Sequence, residues 1–73
     1  MSKYPIIGGL YRHYKGGLYE VISMATHTET NEVVVVYKSI HFGSVHVRPL
    51  SSWNGEGKNT RGQKIKRFVF EPY

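Results

Sequence analysis

Apolar and polar residues alternate in short stretches along the chain, and turn-forming residues separate these stretches. Alternation with a period of two is typical of a β-strand with one buried face. No stretch has the spacing of an amphipathic helix of useful length, so the pattern predicts an all-β domain. Five segments are predicted strands: Leu10–Tyr14, Leu18–Thr26, Val33–Ile40, Val45–Arg48 and Arg67–Glu71.

The residues between these segments predict how the strands connect. Residues 15–17, Lys-Gly-Gly, predict a tight hairpin turn, because glycine tolerates the positive φ that such turns need. Pro49 offers no N–H to a ladder and ends the fourth strand, and Pro49–Trp53 predicts a single 3₁₀ turn. Five short strands with this turn before the last one favour a small five-stranded SH3-like barrel, with residues 1–73 as a single domain.

The third predicted strand is apolar on both of its faces. Between Val33 and Tyr37 the odd-numbered side chains point one way and the even-numbered side chains point the other way. A barrel core covers only one face, and strands buried on both sides appear as continuous apolar runs. We therefore expect a second copy of the chain, or a returning segment, to cover the outer face. The alternative is an ordinary strand that the N-terminal residues 4–7 partly shield.

Composition narrows the class of protein. The 73 residues carry a formal net charge of +5, with no cysteine, which excludes disulfides, cysteine-ligated zinc and a thiol nucleophile. Residues 1–37 are electrically balanced, so the whole excess lies in residues 38–73. No apolar run approaches the roughly 20 residues of a membrane span, and no signal-peptide core is visible, so we expect a cytoplasmic protein that does not enter membranes. An excess of one sign attracts anions, although a merely solubilising loop is an equally good interpretation.

The first polar cluster, Arg12-His13-Tyr14-Lys15, precedes the predicted glycine turn. A guanidinium forks onto phosphate and an aromatic ring stacks on a base, so these residue types suit a nucleotide. The alternative is a hairpin in which the tyrosines pack while Arg12 and Lys15 remain solvated.

The second polar cluster is His27-Thr28-Glu29-Thr30, in the loop between two strong strands. Hydroxyl groups and an imidazole can contact a phosphate or a ribose. We expect His27 and Thr28 to be ligand contacts, against the alternative that these side chains satisfy the turn itself.

Arg48 and Trp53 form a third candidate pair. Trp53 could stack on a base beside a phosphate-binding Arg48, although a tryptophan after a strand end more often caps a core. The fourth candidate is a basic segment that could close over an anion or follow a nucleic-acid backbone. It comprises Lys58, Arg61, Lys64, Lys66 and Arg67, and part of it falls in residues 53–64, which are predicted to be a flexible, glycine-rich loop.

Several short motifs resemble a known family. They are Gly9–Gly16 (GLYRHYKG), Tyr19–Val21 (YEV), Ala25–Thr30 (ATHTET), Val35–Tyr37 (VVY), Val47–Leu50 (VRPL) and Arg67-Phe68. In this order and spacing they are similar to a family of short bacterial and phage proteins catalogued as a domain of unknown function. Trp53 stands where that family usually has a Phe-containing segment. The resemblance implies a compact β domain and no particular activity.

Catalysis is a weaker interpretation than binding. The chain has no Asp and therefore no obvious carboxylate pair, and its four histidines match no metal-site spacing. We therefore expect neither an enzyme nor a metal or other cofactor.

The sequence favours a non-enzymatic protein that binds a small anionic, nucleotide-like ligand, for example to sequester a signalling nucleotide. A barrel of this size is filled by its own side chains, so the pocket is expected between subunits of a homo-oligomer. Two alternatives remain open. The first is an SH3-like module that binds nucleic acid through residues 58–67, and the second is a protein-interaction module.

Overall fold

The computed structural model describes residues 4–72 and contains seven strands and one helical turn. The first four strands are β1 (Leu10–His13), β2 (Leu18–Thr26), β3 (Val33–Ser39) and β4 (Val45–Pro49). They are followed by α1 (Leu50–Trp53), β5 (Glu56–Lys58), β6 (Lys64–Lys66) and β7 (Phe68–Phe70).

All strand pairs in residues 4–72 are antiparallel, and the strands form two sheets. The larger sheet has the order β4-β3-β2-β1-β7 and the smaller one pairs β5 with β6. The five predicted strands are the five strands of the larger sheet, which confirms a small all-β domain. β2 has the predicted ends, and the ends of the other four strands differ from the predicted ones by no more than one residue.

The connection after β4 differs from the prediction in its helical type. The Asn54 amide donates to the Leu50 carbonyl at 3.0 Å, an i→i−4 bond that makes α1 a single α-helical turn instead of a 3₁₀ turn. The next amide, that of Gly55, donates to the Ser52 carbonyl at 3.1 Å. This i→i−3 bond tightens the end of the turn, where the chain leaves for β5.

The assignment of residues 53–64 to a loop was wrong over β5. Gly57 lies opposite Ile65, and Lys58 lies opposite Lys64, in a short hairpin. β5 and β6 have three residues each, and one residue of β5 is glycine. Such short strands show too little alternation to be predicted from the sequence. Gly57 is needed at its position, because a Cβ there would lie 2.5 Å from the ring of Tyr14.

The core consists of apolar side chains on one face of the larger sheet, together with those of α1. Val21 and Val35 are fully buried at its centre. The rings of Trp53 and Phe68 stack with centroids 3.8 Å apart and planes 6° apart. The Tyr37 ring meets both of them edge-on, at 5.3 and 5.7 Å. This aromatic cluster forms one wall of the candidate site.

The opposite face of the sheet carries several other valines. Val34 is buried, with 8% of its surface exposed, whereas Val45 and Val47 on the edge strand β4 are 58% and 65% exposed. The uncovered apolar surface is therefore on β4 more than on β3. Residues 4–6 line a cavity with Tyr11 and Trp53, which places them on the core side and not over these valines.

No helix in residues 4–72 is long and apolar enough to cross a membrane.

Candidate anion-binding site

Arg48 occupies the centre of the candidate site. It pairs with Val35 across β3–β4, so its side chain starts on the core face of the sheet. Its Nε donates to the Tyr37 hydroxyl at 3.3 Å, and its Nη1 donates to Ser52 Oγ at 3.2 Å. The guanidinium carbon lies 5.7 Å from the centroid of the Phe68 ring, within the range of a cation–π contact. Arg48 is therefore held in place on three sides.

Arg67 reaches the same serine from the other side, from its place between β6 and β7. Its Nη1 donates to the Ser52 carbonyl at 2.7 Å and to Ser52 Oγ at 2.8 Å, and its Nη2 donates to the Glu56 carbonyl at 3.1 Å. Gly55 makes room for this approach, because a Cβ there would lie 3.3 Å from Nη1. The helical turn and the β5–β6 hairpin thus hold the second guanidinium beside the first.

These two charges have no anionic partner in the part of the chain that the structure describes. No carboxylate oxygen of residues 4–72 lies within 4.0 Å of a nitrogen of Arg48 or Arg67. Arg12 differs, because its Nε and Nη2 donate to the Glu71 carboxylate at 2.8 and 2.9 Å. This pairing raises the pKa of Arg12 and lowers that of Glu71. Arg48 and Arg67 therefore form a local excess of positive charge.

His13 lies beside this excess of charge. Its ring meets the Phe68 ring edge-on at 4.9 Å. Burial lowers the pKa of His13, and the charges of Arg48, Lys15 and Arg67 lower it further, in that order. The Lys15 amide donates to His13 Nδ1 at 3.1 Å, so the proton of the neutral ring is on Nε2. His13 is therefore held as a neutral hydrogen-bond donor beside two guanidinium groups.

The other members of the first polar cluster separate. Tyr14 lies next to the site, with its ring centroid 4.6 Å from that of His13, and Lys15 Nζ lies 5.7 Å from the Tyr14 ring. Arg12 pairs with Val69 on β7 and points to the opposite face from His13, towards Glu71. Arg12 therefore does not join the site.

In residues 4–72, His27 and Thr28 make no hydrogen bond or ring contact with Arg48, Ser52 or Arg67, and β2 separates them from the first polar cluster. They follow the last residue of β2, whereas Arg12 pairs with Leu18 at its first residue. Nine residues of strand span roughly 26 Å at about 3.3 Å per step. The two polar clusters thus lie at opposite ends of the sheet, and His27 is exposed in its own turn.

Trp53 belongs to the core and not to the ligand surface. It is 4% exposed, and Phe68 covers one of its faces. The alternative role considered for it, closing the core after a strand end, matches this position. The aromatic surface near Arg48 comes instead from His46, whose exposed ring lies 5.6 Å from that of Tyr37.

The basic segment divides into two parts. Arg67 turns inward to Ser52, as described above. The other four basic residues are exposed on the β5–β6 hairpin, where alternation places three of them on one face and the turn carries the fourth. These residues are Lys58, Lys64 and Lys66, with Arg61 in the turn.

Sequence reasoning missed Tyr37 and Ser52 as site residues. Tyr37 falls in the apolar run of β3, and its ring is buried, so only the hydroxyl at its tip is available to Arg48. Ser52 follows Arg48 by four residues across the α1 turn. This four-residue spacing indicates a side-chain contact only once the turn is known to be helical.

An open cavity of about 650 Å³ lies on the side of residues 4–6 and is also lined by Trp53, Gly55 and Phe68, which border the site. Apolar side chains such as Tyr11 and Phe70 line it, and among the described residues that line it there is neither Arg48 nor Arg67. Residues 4–72 contain no group of three or more histidines and acidic residues that could hold a metal ion. The chemistry of the candidate site is therefore that of hydrogen-bond donors and positive charge.

Comparisons with known proteins agree with this architecture. Residues 9–70 match the family model DUF1653, described as a protein of unknown function. The structure is similar to the crystal structure of a DUF1653 protein from Bordetella bronchiseptica, with 33% identity and a TM-score of 0.79 over 96% of this chain and 92% of that one. A search of curated proteins finds no match. Because the family model spans most of the sequence, the chain belongs to the DUF1653 family.

Proposed function

We propose that this protein is a non-enzymatic binding protein for a small anionic, nucleotide-like ligand. The observation that carries the proposal is the pair of half-buried guanidinium groups on Arg48 and Arg67, both bonded to Ser52 and neither paired with a carboxylate of residues 4–72. A charge that is partly removed from water requires compensation, and a bound anion supplies it. The hydrogen bonds from Arg67 to two backbone carbonyls explain the position of Arg67 itself. They do not explain why a second positive charge, that of Arg48, lies beside it.

Aromatic side chains near the guanidinium groups provide surfaces for a flat ring. His46 is exposed against Tyr37, and Tyr14 is half-buried against His13. Stacking of a base on such a ring contributes roughly 1–3 kcal/mol. A phosphate at the arginines and a base on one of these rings together make a nucleotide-sized site, which suits sequestration of a signalling nucleotide.

The side chains around the site support binding instead of catalysis. The neutral ring of His13 already accepts a hydrogen bond at Nδ1, and Ser52 is bonded to two cations and not to a general base. We therefore propose no catalytic residue.

Arg48 and Arg67 already meet at Ser52 within one subunit, so we propose the phosphate contacts there and not at the seam between subunits that the sequence suggested. Self-association remains part of the proposal for the opposite face. The exposed Val45 and Val47 lie there beside Lys38, whose cross-strand neighbour is Glu20. A two-fold copy that pairs this face with itself would bury the exposed valines. The strand order β4-β3-β2-β1-β7, with α1 before the last strand, also supports an SH3-like barrel.

Calorimetry and thermal shift with nucleoside mono-, di- and cyclic phosphates test the proposal directly. We expect stabilisation by at least one of them, because a ligand that binds only the folded state raises the melting temperature. Arg48→Gln should weaken binding about tenfold or more, since it removes a charge-assisted hydrogen bond. Arg61→Gln is the matched control, because it removes the same charge from the exposed hairpin turn. Absence of stabilisation by any nucleotide at millimolar concentration would contradict the proposal.

A second candidate function is polyanion binding by the β5–β6 hairpin. Lys58 and Lys64 lie directly opposite each other on its exposed face, where like charges repel unless an anion lies between them. This candidate predicts retention of generic DNA or RNA with a steep salt dependence. Lys58→Gln with Lys64→Gln should then abolish retention, whereas Arg48→Gln should not.

A further inference from the structure

The hydrogen-bonding state of Ser52 defines what kind of anion oxygen the site accepts. A hydroxyl oxygen has two lone pairs and one O–H. Arg48 Nη1 and Arg67 Nη1 both donate to Ser52 Oγ, at 3.2 and 2.8 Å, and together they occupy both lone pairs. The O–H of Ser52 is left as a donor, and no side chain of residues 4–72 accepts it.

The neighbouring side chains offer donors as well. Tyr37 Oη accepts from Arg48 Nε and retains its own O–H. His13 Nδ1 accepts from the Lys15 amide, so its Nε2–H is the group left for a ligand. Arg48 uses two of its five N–H groups in the contacts above, and three remain. Apart from one lone pair of the buried Tyr37 hydroxyl, the side-chain groups that remain uncommitted at the site are therefore donors.

A site whose uncommitted groups are mainly donors favours a ligand group that only accepts. A phosphate monoester near neutral pH carries about −1.5 to −2 charges and three acceptor oxygens. A phosphodiester, as in a cyclic nucleotide or a nucleic-acid backbone, carries one charge and two free oxygens. Two guanidinium charges are balanced by the first group and not by the second.

We infer that the Arg48–Ser52–Arg67 site binds the terminal phosphate monoester of a nucleotide as its dianion, and discriminates against phosphodiesters. This inference rests on the proposed function and specifies its ligand class. Arg48 and Arg67 each contribute one positive charge and Ser52 contributes a hydroxyl donor. The exposed and half-buried rings described above take the base.

The test is calorimetry at pH 8 with adenosine 5′-monophosphate and adenosine 3′,5′-cyclic monophosphate, which share base and sugar and differ in phosphate charge. At this pH the monoester is a dianion, because its second pKa is about 6. We expect the monophosphate to bind at least about tenfold more tightly. Arg67→Gln should remove most of this preference, and Arg61→Gln should keep it. If Arg67→Gln does not fold, as judged by thermal unfolding, Arg48→Gln serves instead, since it removes the other of the two positive charges.

The possible results separate the two proposals. Equal affinity for the two nucleotides would overturn the phosphomonoester inference and leave the nucleotide-binding function in place. Failure of both to bind would overturn the phosphomonoester inference, and failure of every nucleotide in the thermal-shift series would overturn the proposed function as well. A preference that survives Arg48→Gln and Arg67→Gln would overturn the assignment to this site. Inorganic phosphate that binds as tightly as the monophosphate would overturn the nucleotide as the ligand.

Discussion

The guanidinium groups of Arg48 and Arg67 both donate to one oxygen atom, Ser52 Oγ, at 3.2 and 2.8 Å. Two like charges this close repel each other, and a single neutral hydroxyl compensates only part of that repulsion. Contacts that hold them together include the Tyr37 hydroxyl and two backbone carbonyls. The fold therefore maintains a concentration of positive charge at the junction of β4, α1 and β7.

Ser52→Ala tests the shared acceptor. Loss of Oγ leaves the two guanidinium groups without their common partner, and we expect a decrease of about 1 kcal/mol in the free energy of unfolding. Nucleotide affinity should fall as well, because the O–H donor disappears. Ser51→Ala is the matched control, since Ser51 is the exposed neighbour in the same helical turn. Urea unfolding and calorimetry measure both effects, and equal results for the two variants would contradict this role.

Gly57→Ala tests the contact between β1 and the small hairpin. A Cβ at position 57 would lie 2.5 Å from the Tyr14 ring, so the ring or the strand must move. We expect destabilisation of about 1–3 kcal/mol, as for other overpacked positions. Lys58→Ala, in the same strand but exposed, should change stability little. A Gly57→Ala variant as stable as Lys58→Ala would show that Tyr14 does not pack here.

The titration of His13 reports the positive charge at the site. Because its pKa is lowered by burial and then by Arg48, Lys15 and Arg67, the unfolded chain takes up a proton at a higher pH than the folded chain does. The contribution of the neutral His13 ring to the free energy of unfolding is therefore fully present above the ordinary histidine pKa. It is lost as the pH falls from that value to the lowered pKa of the folded protein. Proton NMR of the His13 ring measures this pKa directly.

Arg48→Gln should raise the pKa of His13, and a bound nucleotide monophosphate should raise it as well. Arg61→Gln should leave it unchanged, since Arg61 does not contribute to the shift. A His13 that titrates identically in all these proteins would contradict the convergence of charge described here.

The ion pair between Arg12 and Glu71 should stabilise the folded state at pH values above those at which the Glu71 carboxyl group titrates. Pairing lowers the pKa of Glu71, so its contribution is present at neutral pH and is lost as the pH falls through that lowered value. Both side chains are about two-fifths exposed, and the effect should be small. Unfolding of the wild type and of Glu71→Gln from pH 7 to pH 2 measures it. Stability curves that stay parallel over this range would show that the pair contributes nothing.

Much of the fold could be predicted from the sequence, because the strands of the larger sheet alternate clearly. The β5–β6 hairpin could not, since Glu56-Gly57-Lys58 offers no apolar face of its own and depends on Tyr14 for packing. The same dependence on tertiary contacts explains why α1 is an α-helical turn, because so short a helix depends on the packing of Leu50 and Trp53 into the core.

The site was predicted in part. Arg48, His13 and Arg67 were recognised by residue type, but nothing in their spacing shows that they meet at Ser52. His27 and Thr28 were expected to join Arg12 and His13. The loops before and after one strand lie at opposite ends of it, so β2 keeps the two clusters apart.

The central claim is that Arg48 and Arg67 bind the ligand's phosphate. Its most direct test is a titration with adenosine 5′-monophosphate followed by ¹H–¹⁵N NMR, which observes the arginine Nε–H groups and the backbone amides together. We expect saturable shifts of the Arg48 and Arg67 Nε–H signals and of the Ser52 amide, with the His27 and Thr28 amides unchanged. Shifts confined to the β5–β6 hairpin or to residues 27–28, or no shifts at millimolar nucleotide, would contradict it.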